Sequence, residues 1–198
     1  MLATHQDVVV LNFASARNPG GGFLGGAKAQ EEELCRCSGL YRTLLTQPHY
    51  YKHNREQKTL LYSDFLIYSP GVPFIRLSTN EPFLERPFVV SVVTAPAPNA
   101  GALSRNEPGA ASHLPSTFER RWANVLAVAE HNRNRSLVLG AWGCGAFRNN
   151  AATVAATARS TLRSARFDGV FERVVFAIPG AGQRSLENLR AFRRVFGL

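Results

Sequence analysis

Five glycines fall within seven residues, Gly20 to Gly26, between the apolar run Val8-Val9-Val10-Leu11 and the tetrad Gln30-Glu31-Glu32-Glu33. Glycine at that density weakens helix and strand alike, so the segment is a loop. It leaves a short apolar strand and enters a helix that opens on acids. Without Cβ atoms its backbone approaches a ligand closely and turns N–H groups towards it, as phosphate-binding loops do. The chain is thereby constrained to a strand–loop–helix unit, with carboxylates a few residues beyond the loop.

The rest of the sequence continues in that style. Asp7 to Phe13 reads as a buried strand and Ala27 to about Leu45 as one helix, with Leu34, Cys37, Tyr41, Leu44 and Leu45 on an apolar face. Phe65 to Tyr68 and Val72 to Leu77 read as strands broken by Pro70-Gly71, and Phe88 to Thr94 as another strand. Pro96 to Pro115 is a long connection rich in Pro, Gly, Asn and Ser. Ser116-Thr117-Phe118-Glu119 matches a capping box for a helix to about His131. Leu137 to Leu139 is a strand entering a second glycine loop; Asn149 or Asn150 caps a helix from Ala151 to about Ala165. A strand at Val174 to Ile178 and a helix from Leu186 to Phe196 close the chain. Strands alternating with helices imply an α/β sandwich with a parallel or mixed sheet. Ligands of such sheets bind at the strands' carboxyl ends, where the two glycine loops would lie side by side.

Composition narrows the classes. At 198 residues, 45% hydrophobic and 19% charged, the chain suits one globular domain, and no apolar run reaches membrane-spanning length. No signal peptide is legible, and three cysteines do not suggest a disulfide framework, so the expected form is a cytoplasmic monomer. A net charge of +9 favours polyanionic partners without requiring nucleic acid. Arg120-Arg121 and Arg193-Arg194 read as solubilising pairs on helices.

Competing chemistries fit less well. Gly20 to Gly25 satisfies G-x-G-x-x-G, but residues 41–50 hold no acid for a dinucleotide ribose, and no Gly-Lys-Ser/Thr follows for a P-loop. Cys35-Arg36-Cys37 lacks a partner cluster and the five histidines are scattered, so neither metal nor cofactor is expected. Cys144, in the second glycine loop, has no obvious histidine to activate it. The glutamates admit a bland reading as complements to a helix dipole, and Phe147 one as core packing.

Gly20-Gly21-Gly22, seven residues and then Gln30-Glu31-Glu32 resembles the signature of poly(ADP-ribose) glycohydrolases, in particular their bacterial branch. The likeness extends in order through residues 10–16, 68–73, 94–99 and 139–149. It implies a macrodomain-like three-layer α/β sandwich with a mixed central sheet, and a single catalytic domain over 1–198. Family members usually carry a helical stretch before the first strand, which the domain is expected to lack. The resemblance implies cleavage of ribose–ribose bonds, mainly from chain ends. It makes Glu32 the general acid/base, with Glu31 on the ribose hydroxyls and Gln30 in support. Glu33, outside the triplet, reads as a solvated charge. The implied substrate contacts are Asn12, Gly20, Gly21, Gly22 and Thr94. Gly143, Cys144, Gly145 and Ala146 would wrap the diphosphate, with Phe147 against the ribose. Where many macrodomains have a second asparagine, this chain has Ser15. The implied partners are poly(ADP-ribose), ADP-ribose and ADP-ribosylated proteins. A helix N-terminus lowers a carboxyl pKa, so Glu32 is expected to become an effective acid mainly when bound diphosphate raises it. A non-catalytic ADP-ribose reader and a hydrolase of mono-ADP-ribosylated proteins are the alternatives.

Overall fold

A computed structural model describes residues 3–198 and contains one five-stranded sheet. The strands are β1 (Ala3–Ala14), β2 (Ile67–Phe74), β3 (Phe88–Pro96), β4 (Ser136–Leu139) and β5 (Arg173–Phe176), in the order β2-β3-β1-β4-β5. β3, β1, β4 and β5 run parallel and β2 closes one edge antiparallel, which makes the sheet mixed.

Alternation along the central strands sorts their side chains into two cores. Val9 and Leu11 of β1, Val93 and Ala95 of β3, and Leu137 and Leu139 of β4 pack beneath α5 (Leu114–His131), α6 (Ala151–Leu162) and α7 (Gln183–Phe196). Trp122 and Trp142 meet edge to face there, their ring centroids 4.8 Å apart. On the opposite face Val90 and Val92, with Ile67, Val72 and Phe74 of β2, pack on α1 (Gln30–Cys37), α2 (Leu40–Leu45) and α3 (Pro48–Glu56). The result is a three-layer sandwich. Its parallel strands end together on one side, and the loops after β1, β4 and β5 gather there.

Several elements differ from their sequence readings. The helix expected from Ala27 begins at Gln30 and divides after Cys37, because Ser38 is extended and bridges to Phe74. Its hydroxyl donates to Leu34 O and accepts from Leu40 N, closing one helix and opening the next. Leu45, placed on the apolar face, is exposed. β2 is continuous: Pro70-Gly71 forms an irregularity between Ser69 and Val72, tolerated on an edge strand. The connection after Pro96 contains α4 (Ala100–Asn106), capped by Asn99, and a 3-10 turn at Pro108–His113. α5 starts at Leu114, not at the Ser116 capping box; Pro115 occupies its first turn and Ser116 Oγ donates back to His113 O. Asn150, rather than Asn149, caps α6. β1 extends four residues before Asp7, and α3 had no sequence counterpart.

Candidate active site

The three loops enclose a cavity of about 500 Å³. The first wall is the glycine loop. Gly20 and Gly21 take positive φ, 68° and 62°, which only glycine adopts readily. A Cβ on Gly21 would overlap Glu32 Oε1 and lie 3.0 Å from Glu31 Oε2. Both carboxyls are thus seated on the face of Gly21 that has no side chain. One residue on, Gly22 N donates to Glu32 Oε1 at 2.8 Å.

The floor is the start of α1. Gln30 anchors it to the end of β1: its amide nitrogen donates to Leu11 O, and its oxygen accepts from Phe13 N, both at 2.8 Å. Glu31 and Glu32 then enter the first helical turn, 3% and 7% exposed. Glu31 Oε2 accepts from Ser15 N at 2.6 Å, and Oε1 from Asn12 Nδ2 at 3.3 Å. Burial dominates over those hydrogen bonds and, helped by the neighbouring Glu32 carboxylate, lifts the Glu31 pKa from 4.5 to about 8.

The second glycine loop forms the opposite wall. Gly143 has φ 70°, and a Cβ there would stand 2.6 Å from both Ala97 Cβ and Asn149 Nδ2. Asn149 fastens the turn by donating to Pro98 O (2.8 Å) and Gly143 O (2.9 Å). Gly145 faces open space, and Gly143, Gly145, Ala146 and Phe147 border the cavity. The far end is made by Ile178 and Pro179 after β5, with Ser185 and Asn188 of α7.

Gly21, Gly22, Gln30, Glu31, Glu32, Gly143, Gly145, Ala146 and Phe147 all border this one cavity, although more than a hundred residues separate the two loops. Four other expected contacts lie behind its wall. Asn12 is wholly buried: its amide nitrogen donates to Glu31 Oε1 and to Thr94 Oγ1 (3.1 Å), so Asn12 holds Glu31 from beneath and Thr94 holds Asn12. Gly20 packs under Tyr41 and Cys35 rather than facing the cavity. The Cys144 thiol points into the core, where burial pushes its pKa up to about 12, leaving its backbone as the part nearest a ligand.

Two charges also depart from their sequence readings. Glu33 is not merely solvated: it accepts from Thr79 N (2.7 Å) and Thr79 Oγ1 (2.6 Å), which hold its pKa below the usual range and tie α1 to the β2–β3 connection. Arg121 is 2% exposed; it donates to Asp64 Oδ1, Pro96 O and Leu61 O, fixing the segment before β2. Ser15, Ser185 and Asn188 were missed as cavity residues. Ser15 follows directly on β1, whereas nothing local marks the α7 pair. Among the described residues no group of three or more His, Cys, Asp or Glu is placed to hold a metal ion, and no helix is long and apolar enough to cross a membrane.

The fold recurs in solved structures. A poly(ADP-ribose) glycohydrolase (PARG) from Deinococcus radiodurans, solved with ADP-ribose, is 48% identical with a TM-score of 0.88, the match covering 96% of this chain and 75% of that one. The chain belongs to the bacterial PARG family. A PARG from Thermomonospora curvata is 46% identical (TM-score 0.87, 96% of this chain and 68% of that one), and another structure of it holds the inhibitor ADP-HPD. The model of the microbial-type PARG catalytic domain matches residues 1–77, which carry the first glycine loop and both glutamates of this PARG. No match is found among curated proteins.

Proposed function

We propose that this PARG hydrolyses the ribose–ribose O-glycosidic bonds of poly(ADP-ribose), releasing ADP-ribose, with Glu32 as general acid/base. The observation that carries this is the seating of Glu31 and Glu32 together against Gly21, inside a cavity whose other wall is a second glycine loop. A reader of ADP-ribose has no need of paired acids there.

The substrate's diphosphate lies along the second loop, beside the open face of Gly145, and its terminal ribose meets Glu31 and Phe147. Glu31 hydrogen-bonds the ribose hydroxyls beside the scissile bond. Glu32 gives a proton to the departing 2′-oxygen as the bond to the ribose anomeric carbon breaks through an oxocarbenium-like state. As carboxylate it takes a proton from the water that attacks that carbon, which restores the acid and leaves a new hydroxyl on ADP-ribose. The Gly22 N–H holds Glu32 Oε1, fixing the carboxyl for both transfers. Chain ends are the favoured point of attack, and ADP-ribosylated proteins are the carriers of the polymer.

Incubation with labelled poly(ADP-ribose), beside Glu32→Gln, tests the reading. ADP-ribose is expected from the unmodified chain alone, while Glu32→Gln retains ADP-ribose affinity within about tenfold, or 1.4 kcal/mol. Normal turnover by Glu32→Gln would overturn the assignment. Tight ADP-ribose binding with no release by the unmodified chain would make the protein a reader.

A further inference from the structure

Beside Phe147, which borders the cavity, lies a feature that the reaction above does not use. Tyr62 has φ 61°, a left-handed conformation that is costly for a bulky residue. The chain around it is pinned from several directions. Leu60 N donates to Glu107 Oε1 (2.8 Å), Leu60 O accepts from Asn99 N (3.1 Å), Leu61 O accepts from buried Arg121, and Ser63 N donates to Asn54 Oδ1 (3.0 Å). So over-determined a loop holds its one strained residue in place. What it presents is a part-exposed aromatic ring, 6.5 Å from the ring of Phe147 and tilted 44° to it. The two rings extend the aromatic surface outward from the cavity wall to which Phe147 belongs.

Two arginines lie near the same segment: Arg55 follows Asn54, which accepts from Ser63 N next to Tyr62. Arg55, beside Asn54, donates to Arg17 O at 2.6 Å, and Arg17 adjoins Asn18 on the cavity rim. Both arginines are exposed, and neither is in an ion pair among the described residues. An aromatic platform with guanidinium groups in the neighbouring segment suits a base attached to phosphates.

We propose that Tyr62 is a stacking platform for the nucleoside of the adjacent polymer unit, on the leaving side of the scissile bond, with Arg17 and Arg55 facing that unit's diphosphate. The assignment rests on the glycohydrolase reading and makes its substrate at least two ADP-ribose units long.

Calorimetry on the Glu32→Gln chain tests it, using ADP-ribose and an uncut two-unit fragment of poly(ADP-ribose) as probes. Adding Tyr62→Gly, which suits the backbone angle and spares the fold, should weaken the two-unit fragment about tenfold while ADP-ribose changes less than about twofold. Tyr62→Phe should retain the preference, since the ring remains. Equal losses for both probes, no loss for either, or a two-unit fragment bound no tighter than ADP-ribose before Tyr62 is changed would each overturn the proposal. ADP-ribose release from polymer by the chain with Glu32 intact is scored separately. Its absence would remove the hydrolase reading without altering the Tyr62 comparison.

Discussion

Replacing Gly21 by alanine adds one methyl group at the point where the site is tightest. Two costs follow. The residue sits at φ 62°, and a Cβ in the left-handed region costs about 1–2 kcal/mol. For a chain of this size that is a fall in Tm of about 2–8 °C. The methyl also overlaps Glu32 Oε1, so the carboxyl must retreat by about 1 Å to regain van der Waals separation. That retreat draws Oε1 away from the Gly22 N–H. A misplacement of about 1 Å at a reacting group lowers turnover by about 100-fold. Gly21→Ala is therefore expected to remain folded, with kcat for ADP-ribose release reduced by about two orders of magnitude. Gly25→Ala is the control: it lies in the same loop, its added methyl meets nothing within 4 Å, and turnover should be unchanged. Initial rates on labelled polymer, with thermal unfolding of the same samples, decide it. Turnover by Gly21→Ala within about threefold of the parent would refute the reasoning, because Glu32 would then not depend on the bare face of that glycine.

The Glu31 carboxyl makes stability depend on pH. Its folded pKa of about 8 lies above the ordinary 4.5, so its contribution is fully present below about pH 4.5 and is lost as pH rises through 8. Glu31→Gln should flatten the fall in Tm across that window, and an unchanged slope would contradict the burial argument. Gly145→Val should leave Tm nearly unchanged, since nothing lies within 4 Å of its added Cβ, yet weaken ADP-ribose binding in calorimetry by at least about tenfold as the branched side chain enters the cavity. Arg121→Met leaves the Leu61 and Pro96 carbonyls without their donor while Asp64 keeps Arg120, so urea unfolding should show a loss of about 2–3 kcal/mol.

The central parallel strands were legible as short, mainly apolar runs, as Phe88 to Pro96 is, with only Ser91 and Thr94 polar. β2 was harder to read: a proline and a glycine in mid-strand signal a break, and only its place at the sheet edge makes them harmless. α3 escaped notice because it buries Tyr50, Tyr51 and Asn54 instead of an aliphatic stripe. In the site, motif spacing led to the glutamates and glycines bordering the cavity. It could not separate the cavity surface from the layer beneath. The family resemblance implied ligand contacts at Asn12 and Thr94, polar residues near the ends of strands. In three dimensions they are register partners on adjacent strands and close on each other below Glu31. Ser185 and Asn188 carry no motif, and only the packing of α7 beside β5 brings them to the cavity.

Gln30 acts as a spacer of fixed length between the sheet and the acids. Its side chain completes two backbone hydrogen bonds of β1, as a residue of a neighbouring strand would, while its own backbone starts the helix bearing Glu31 and Glu32. The height of both carboxyls above the sheet is therefore set by the number of methylenes in one amide side chain. Asparagine would supply the same donor and acceptor but draw α1 inward by one carbon–carbon bond or abandon the pair. Glutamate would keep the length and lose the donor to Leu11. Of the three closely related side chains, only glutamine satisfies both the reach and the polarity of that joint.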